Sequence, residues 1–393
     1  TAPQGGVRVV ARGKASAGEL AGLLEHPWLR YLSGSAAYEV VVNAEGGVPS
    51  VTVSSDLKGV ESSLPPPLAK RAADSLPLRL RLLPGAGPAQ QRVSVTLGRV
   101  MVAEFLRQRR GEDQRVASEK GGKDAKGGNG DKGGTAGTGE TMPPLPPMQP
   151  MHPMQVTRTL IVLNPTAGAP VPQPTRDGLT LRGSFDALDL DTWRALPDDG
   201  WPALGQGTFD LKAGVLDVFG RRLRDVDVRA GSDVGGWSAQ VTSAELDGNI
   251  AYRAEGSGLL VARLKRFRIP ADSPGGIGAD GKGGRKGELP AVDLLAERFT
   301  LFGRELGRAE IAARPAAGAW EIDKLVVLNP DAELRGKGTR TLTQGTSRTS
   351  VDFALKVTDV GKFLSRVGYA KMVQGANGRL DGSLAWQGDP QVV

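Results

Sequence analysis

The stretch LDVFGRRLRDVDVRAGSDVGGWSA, residues 216–239, returns in altered form as FTLFGRELGRAEIAARPAAGAWEI, residues 299–322. Phe219-Gly220-Arg221 and Phe302-Gly303-Arg304 are 83 positions apart, as are Leu223 and Leu306, Val228 and Ile311, and Trp237 and Trp320. Gly220 and Gly303 read as positive-φ residues of tight strand-to-strand turns, after which apolar and polar side chains alternate again. Arg221 and Arg304 read as solvated rim charges. Trp237 and Trp320 each begin a new strand and read as amphipathic anchors. A supersecondary unit repeated at fixed spacing predicts a modular, quasi-linear architecture.

Working outward, the 393 residues hold 55 glycines and 27 prolines with 39% hydrophobic residues, a composition of many turns and short strands. The formal charge of +7 comes from Lys and Arg scattered among Asp and Glu. That spacing favours solubility over a basic binding stripe, so no nucleic-acid partner is expected. With no cysteine, disulfides, thiol chemistry and Cys-ligated zinc are excluded. No run of eighteen apolar residues occurs, and the chain opens on Thr1, which reads as a portion cut from a longer protein.

Three strand-rich modules follow from the pattern. Residues 1–107 form a β-module with an N-terminal helix, in which Ser16 and Glu19 have capping-box spacing and Pro27 ends the helix. YEVVVNAEGGVPSVTVSS alternates on both sides of Glu45-Gly46-Gly47 and predicts a hairpin. Residues 108–155 are a linker, Gly/Lys-rich and then Met/Pro-rich, expected to be disordered; no Gly-Lys-Ser/Thr ending supports a phosphate loop. Residues 156–270 form the module with the first Phe-Gly-Arg turn, with a short helix capped by Asp191 and a turn at Asp247-Gly248-Asn249. A Gly-rich loop covers 271–289. Residues 290–393 carry the second copy and a helix capped by Asp359.

The strands put apolar side chains on one face and polar ones on the other. Such faces admit two architectures. Two sheets can close on each other as a sandwich, or one sheet can curl so that its apolar face lines a groove, which Leu, Val, Ala and a few Phe would not fill. The candidate lining residues are Val40, Val42, Val51, Val53, Leu216, Val218, Val226, Val228, Phe299, Leu301, Ile311, Ile322, Phe353, Leu355 and Val357. Catalytic parts are missing: His26 and His152 have no partners at triad or metal-ligand spacing. The pairs Asp189/Asp191, Asp198/Asp199 and Asp225/Asp227 read as caps, turns and strand edges. No catalytic residue, metal or cofactor is expected, and the chain is not read as an enzyme.

LSGSAAYEV, RGSFDALDLDTW, RFTLFGRELGRAEIAARPAAGAWEIDKLVVLNPDAELRGKG and VDFALKVTDVGKFLSRVGYAKMVQGANGRLDGSLAWQGDP together resemble the YhdP family, AsmA-like proteins of Gram-negative bacteria. The resemblance covers most of the chain outside its two Gly-rich loops, and the sequence departs from the family pattern in its long Lys/Gly and Met/Pro insertion. It implies a mainly β fold: an elongated, curled, antiparallel groove of repeated modules with a few short capping helices. It further implies the periplasmic part of an inner-membrane-anchored protein, whose membrane helix and C-terminal end lie outside this sequence. The implied partners are phospholipids carried between inner and outer membranes, with other envelope proteins as possible partners. The alternative is a structural or assembly scaffold with closed sandwich cores. A weaker one is a carbohydrate-binding or glycosidase-like β module.

Overall fold

A computed structural model describes residues 7–24, 27–45, 48–87, 89–109, 154–166, 168, 172–196, 206–271, 290–316, 319–343, 346–369, 373 and 375–387. The expected linker and second Gly-rich loop lie almost wholly outside the described residues. Alternating β-branched and polar residues produce the strands. The first group is β1 (Val7–Ser16), β2 (Leu32–Glu45), β3 (Val48–Ser55), β4 (Val60–Ser62), β5 (Leu78–Pro84), β6 (Gln90–Leu97) and β7 (Met101–Arg109). Next come β8 (Met154–Leu163), β9 (Gly178–Asp189), β10 (Gly207–Val218), β11 (Arg221–Asp233), β12 (Gly236–Thr242), β13 (Leu246–Arg253) and β14 (Leu259–Ile269). The last are β15 (Ala291–Leu301), β16 (Arg304–Ala316), β17 (Ala319–Asn329), β18 (Ala332–Thr343), β19 (Thr346–Val357) and β20 (Gly378–Gln387).

All twenty belong to one sheet. Apart from β4, which pairs only with the start of β2, each strand lies beside its predecessor in the chain, from β1 at one edge to β20 at the other. The sheet is antiparallel except at β8–β9, β9–β10 and β14–β15. Pairing runs on from β7 to β8 and from β14 to β15, so the strand-rich modules share one ladder. A two-sheet sandwich is not what the described strands form.

The helices all sit at one end of the strands. They are α1 (Ala17–Leu24), a 3-10 turn (Pro27–Tyr31), α2 (Leu190–Arg194) and α3 (Val360–Arg366). The capping box forms: Ser16 N–H donates to Glu19 Oε2 at 2.8 Å, and Glu19 N–H donates to Ser16 Oγ at 3.2 Å. Asp359 caps α3 as expected, accepting from Lys362 N–H at 2.9 Å. The cap of α2 is Asp189, not Asp191: Asp189 is extended (φ −101°) and accepts from Thr192 N–H, three residues on. The expected turn at Asp247-Gly248-Asn249 is instead a register shift inside β13, with Gly248 at φ 151°.

A lobe at this end covers part of the sheet. Gly34 (φ 86°) bends the start of β2 out toward β4, where a Cβ would meet Gly59 O at 2.0 Å. Trp28, Tyr31, Leu64 and Leu68 of the lobe then pack against Phe185, Leu188, Trp193 and Leu216. Trp193 Nε1–H donates to Pro66 O at 2.9 Å, tying residues 127 positions apart. The second buried cluster, Ala262, Leu264, Ile269, Ala296, Phe299 and Ala309, lies within β14–β16.

Candidate functional site: a continuous apolar face

Cross-strand partners share a face, so register alone traces the surface of the sheet. One row passes through every strand except β4. It begins with Ala11, Val40, Val53, Leu80, Val95, Ala103, Ile161, Leu181 and Phe209. It continues through Ala230, Ala239, Ile250, Ala262, Leu294, Ile311, Leu325, Gly336, Phe353 and Gly382. No polar side chain interrupts it. At about 4.8 Å per strand the row extends about 86 Å. In this row only Ala103 and Ala262 are buried; the larger side chains are half-buried. At the two edges the same face is open, with Val7 at 63%, Val9 at 53%, Leu380 at 57% and Leu384 at 59% exposure.

Every candidate lining residue lies on this side. Val40, Val53, Ile311 and Phe353 are in the row itself; Val42, Val51 and Ile322 flank it on one side, Val228 and Leu355 on the other. Val226 pairs with Ala213 and Val357 with Ala332, farther toward the helical end. Leu216, Val218, Phe299 and Leu301 reach the same side only because the alternation slips. In β10 the buried positions run Ala213 then Leu216, and in β11 Leu223 faces inward before Val226. The copies 83 residues on repeat the slip: Ala296 then Phe299, Leu306 then Ala309. Asp225 (φ 53°) and Gly307 (φ 99°) lie at the slips in β11 and β16.

The repeated turns are two-residue connections with both central residues at positive φ, the geometry that matches strand twist. Phe219 and Gly220 have φ 54° and 69°; Phe302 and Gly303 have 51° and 80°. Their supports differ. Asp191 accepts from Phe219 N–H at 2.7 Å and Gly220 N–H at 2.6 Å, and the Arg194 guanidinium lies 4.0 Å over the Phe219 ring. Phe302 N–H donates to Ile269 O at 2.8 Å instead, while its ring joins the second cluster. Arg304 is exposed and lies against Gly368, just past α3. Trp237 stacks on Tyr252 at 6.3 Å, and Trp320 Nε1–H donates to Pro290 O at 3.1 Å.

The opposite face is a cross-strand charge ladder. Arg12, Glu39, Ser54, Arg79 and Thr96 follow one another across β1–β6, and Arg182, Asp210, Arg229, Gln240, Asn249, Arg263 and Asp293 across β9–β15. The Lys324 ammonium, and then Arg308, hold the Glu310 carboxyl below its ordinary value. These exposed pairs fix register more than they stabilise. A depression of about 660 Å³ on this charged side is lined by Arg182, Thr208, Asp210, Arg229, Gln240 and Arg263, and it also borders Phe209, Ala230, Ala239 and Ile250 of the apolar row. The described residues contain no cluster of side chains able to hold a metal, and no helix long and apolar enough to cross a membrane.

Sequence reading missed the middle of the face: Leu80, Val95, Ile161, Leu181, Phe209, Ile250, Leu294 and Leu325 all belong to it. The alternation in LPLRLRLL and RVSVTL carried that signal. It also missed Asp191 as the clamp of a turn, which no local pattern announces. Comparison with known protein families matches the YhdP protein model over residues 148–393. No curated protein and no solved structure matches the chain. The matched segment takes in β8 through β20, more than half of the sequence and both copies of the repeat, and the chain belongs to the YhdP family.

Proposed function

We propose that this chain is a periplasmic section of an inner-membrane-anchored lipid conduit, carrying phospholipid between inner and outer membranes along its apolar face without catalysing a reaction. The observation that carries the reading is the apolar row, unbroken from β1 to β20 and half-buried at all its larger side chains. An acyl chain of about sixteen carbons in water costs on the order of 10 kcal/mol, at ~0.8 kcal/mol per CH₂. A floor of Val, Leu, Ala and Phe removes most of that penalty at every step, so the lipid slides on a nearly level path while its headgroup stays wet. Membership of the YhdP family is in keeping with this role.

Photoreactive residues test it. Placed at Val53 and Phe353 they should crosslink phospholipid in bacterial envelopes, whereas at Thr52 and Asp352, on the charged face, they should not. Equal labelling of both faces, or none, would sink the reading.

A further inference from the structure

At the end of β17–β20 away from the helices, the apolar face turns polar. Pro315, Trp320, Arg340, Thr349 and Trp386 follow one another in register across β16–β20. Arg340 is 8% exposed, Ser347 1% and Thr349 4%, so three polar side chains are buried on the apolar side. Arg340 Nη2–H donates to Ser347 Oγ at 3.1 Å. The Trp386 indole N–H, one strand beyond Thr349, is buried with no hydrogen-bond partner among the described residues. A buried donor without an acceptor calls for one. Behind this row the face is apolar again, from Gly338 to Ala332 on β18 and from Val351 to Val357 on β19. Six residues of strand span about 20 Å, enough for one leaflet of a bilayer core, about 15 Å deep.

We propose that this row is a site for the phosphate of a phospholipid headgroup, with Arg340, Ser347, Thr349 and the Trp386 N–H supplying donors. The acyl chains then run along β18 and β19 toward the helical end. The guanidinium offers the planar fork that suits phosphate oxygens, and the indoles suit the boundary between apolar chain and polar head. The inference rests on the conduit reading and adds a fixed orientation of the cargo.

The purified chain would be loaded from vesicles containing either phosphatidylglycerol or diacylglycerol with the same acyl chains. Trp386→Phe keeps an aromatic side chain but removes the N–H donor together with part of the indole; it, Arg340→Gln and Ser347→Ala are compared after thermal melts establish that they fold. The expected result is a loss of phosphatidylglycerol loading of about tenfold, the scale of a hydrogen bond to a charged group, with diacylglycerol loading unchanged. Equal loading of both lipids by wild type and all folded variants would overturn the site and leave the conduit standing. If wild type loads neither lipid, the conduit fails and the site with it. Inorganic phosphate alone binding wild type, with Trp386→Phe abolishing it and lipid loading unaffected, would make this a free-phosphate site and overturn the lipid assignment.

Discussion

A single carboxylate on the floor of the face should stop transport without unfolding the protein. Val53 and Thr52 are neighbours on β3, with the same secondary structure and both half-buried, but on opposite faces. Val53 lies between Val40 and Leu80 in the apolar row; Thr52 lies opposite Arg81. Converting either to Asp costs similar strand propensity, about 1 kcal/mol. Val53→Asp additionally replaces one strand's width of floor. About four methylenes of a passing chain then lose their apolar contact, ~3 kcal/mol at 0.8 kcal/mol each. At 1.36 kcal/mol per decade that is a slowing of about two hundredfold. Transfer of a fluorescent phospholipid between donor and acceptor vesicles measures it, with urea denaturation as the stability control. Thr52→Asp should transfer within about twofold of wild type and gain a partner in Arg81. Equal slowing by both variants would refute the reasoning. So would global unfolding of Val53→Asp, because a closed core penalises an unpaired buried charge by several kcal/mol.

Other consequences are independent of lipid. Trp193→Phe removes the hydrogen bond to Pro66 O and part of a buried ring, and should cost about 2 kcal/mol. Faster hydrogen exchange across residues 57–77 reads this out, and unchanged exchange there would show that the lobe is held by other contacts. Gly303→Ala meets nothing within 4 Å, yet φ 80° should make it cost about 1 kcal/mol, measured as a lower denaturation midpoint; an unchanged midpoint would contradict that conformational account. Bonds from the Thr192 hydroxyl and N–H hold the Asp189 carboxyl below its ordinary value, and bonds from Lys362 do the same for Asp359. Carboxyls lowered in the folded state stabilise it above their unfolded pKa, near about 4, and lose that contribution as pH falls through the folded value. Stability should therefore be flat from neutrality to about pH 5 and fall below about pH 4, less steeply in Asp189→Asn; superimposable acid limbs would exclude a role for the cap.

Strand positions and faces were legible because period-two alternation is a local signal. Val51 and Val53 or Phe353 and Leu355 declare their side within a few residues. The short helices were legible for the same reason, since Ser16, Glu19 and Asp359 act on the next turn. What stayed hidden depends on partners distant in sequence. Whether apolar faces oppose one another or line up side by side is decided by which strand pairs with which, and parallel joins such as β14–β15 leave no mark in either strand. Asp191 looked like a cap because its bonds to Phe219 and Gly220 reach 28 and 29 residues away. The slip between Ala213 and Leu216 breaks period two, so counting alone would put Leu216 on the opposite face from Ala213. Arg340 carried no sign of burial on an apolar face until its register with Trp320 and Thr349 was fixed.

Because the strands stack in chain order, the sheet also has a direction of growth. Each antiparallel strand finds its template in the strand just made, so most pairing needs only a short loop to close. Strands can therefore add one after another in chain order, and stability accumulates by nearest-neighbour increments. Exceptions include β9, β10 and β15, where the chain must first return by the length of a strand before it can pair in parallel. Those three joins are where folding should pause, and where an exposed edge waits longest for its partner.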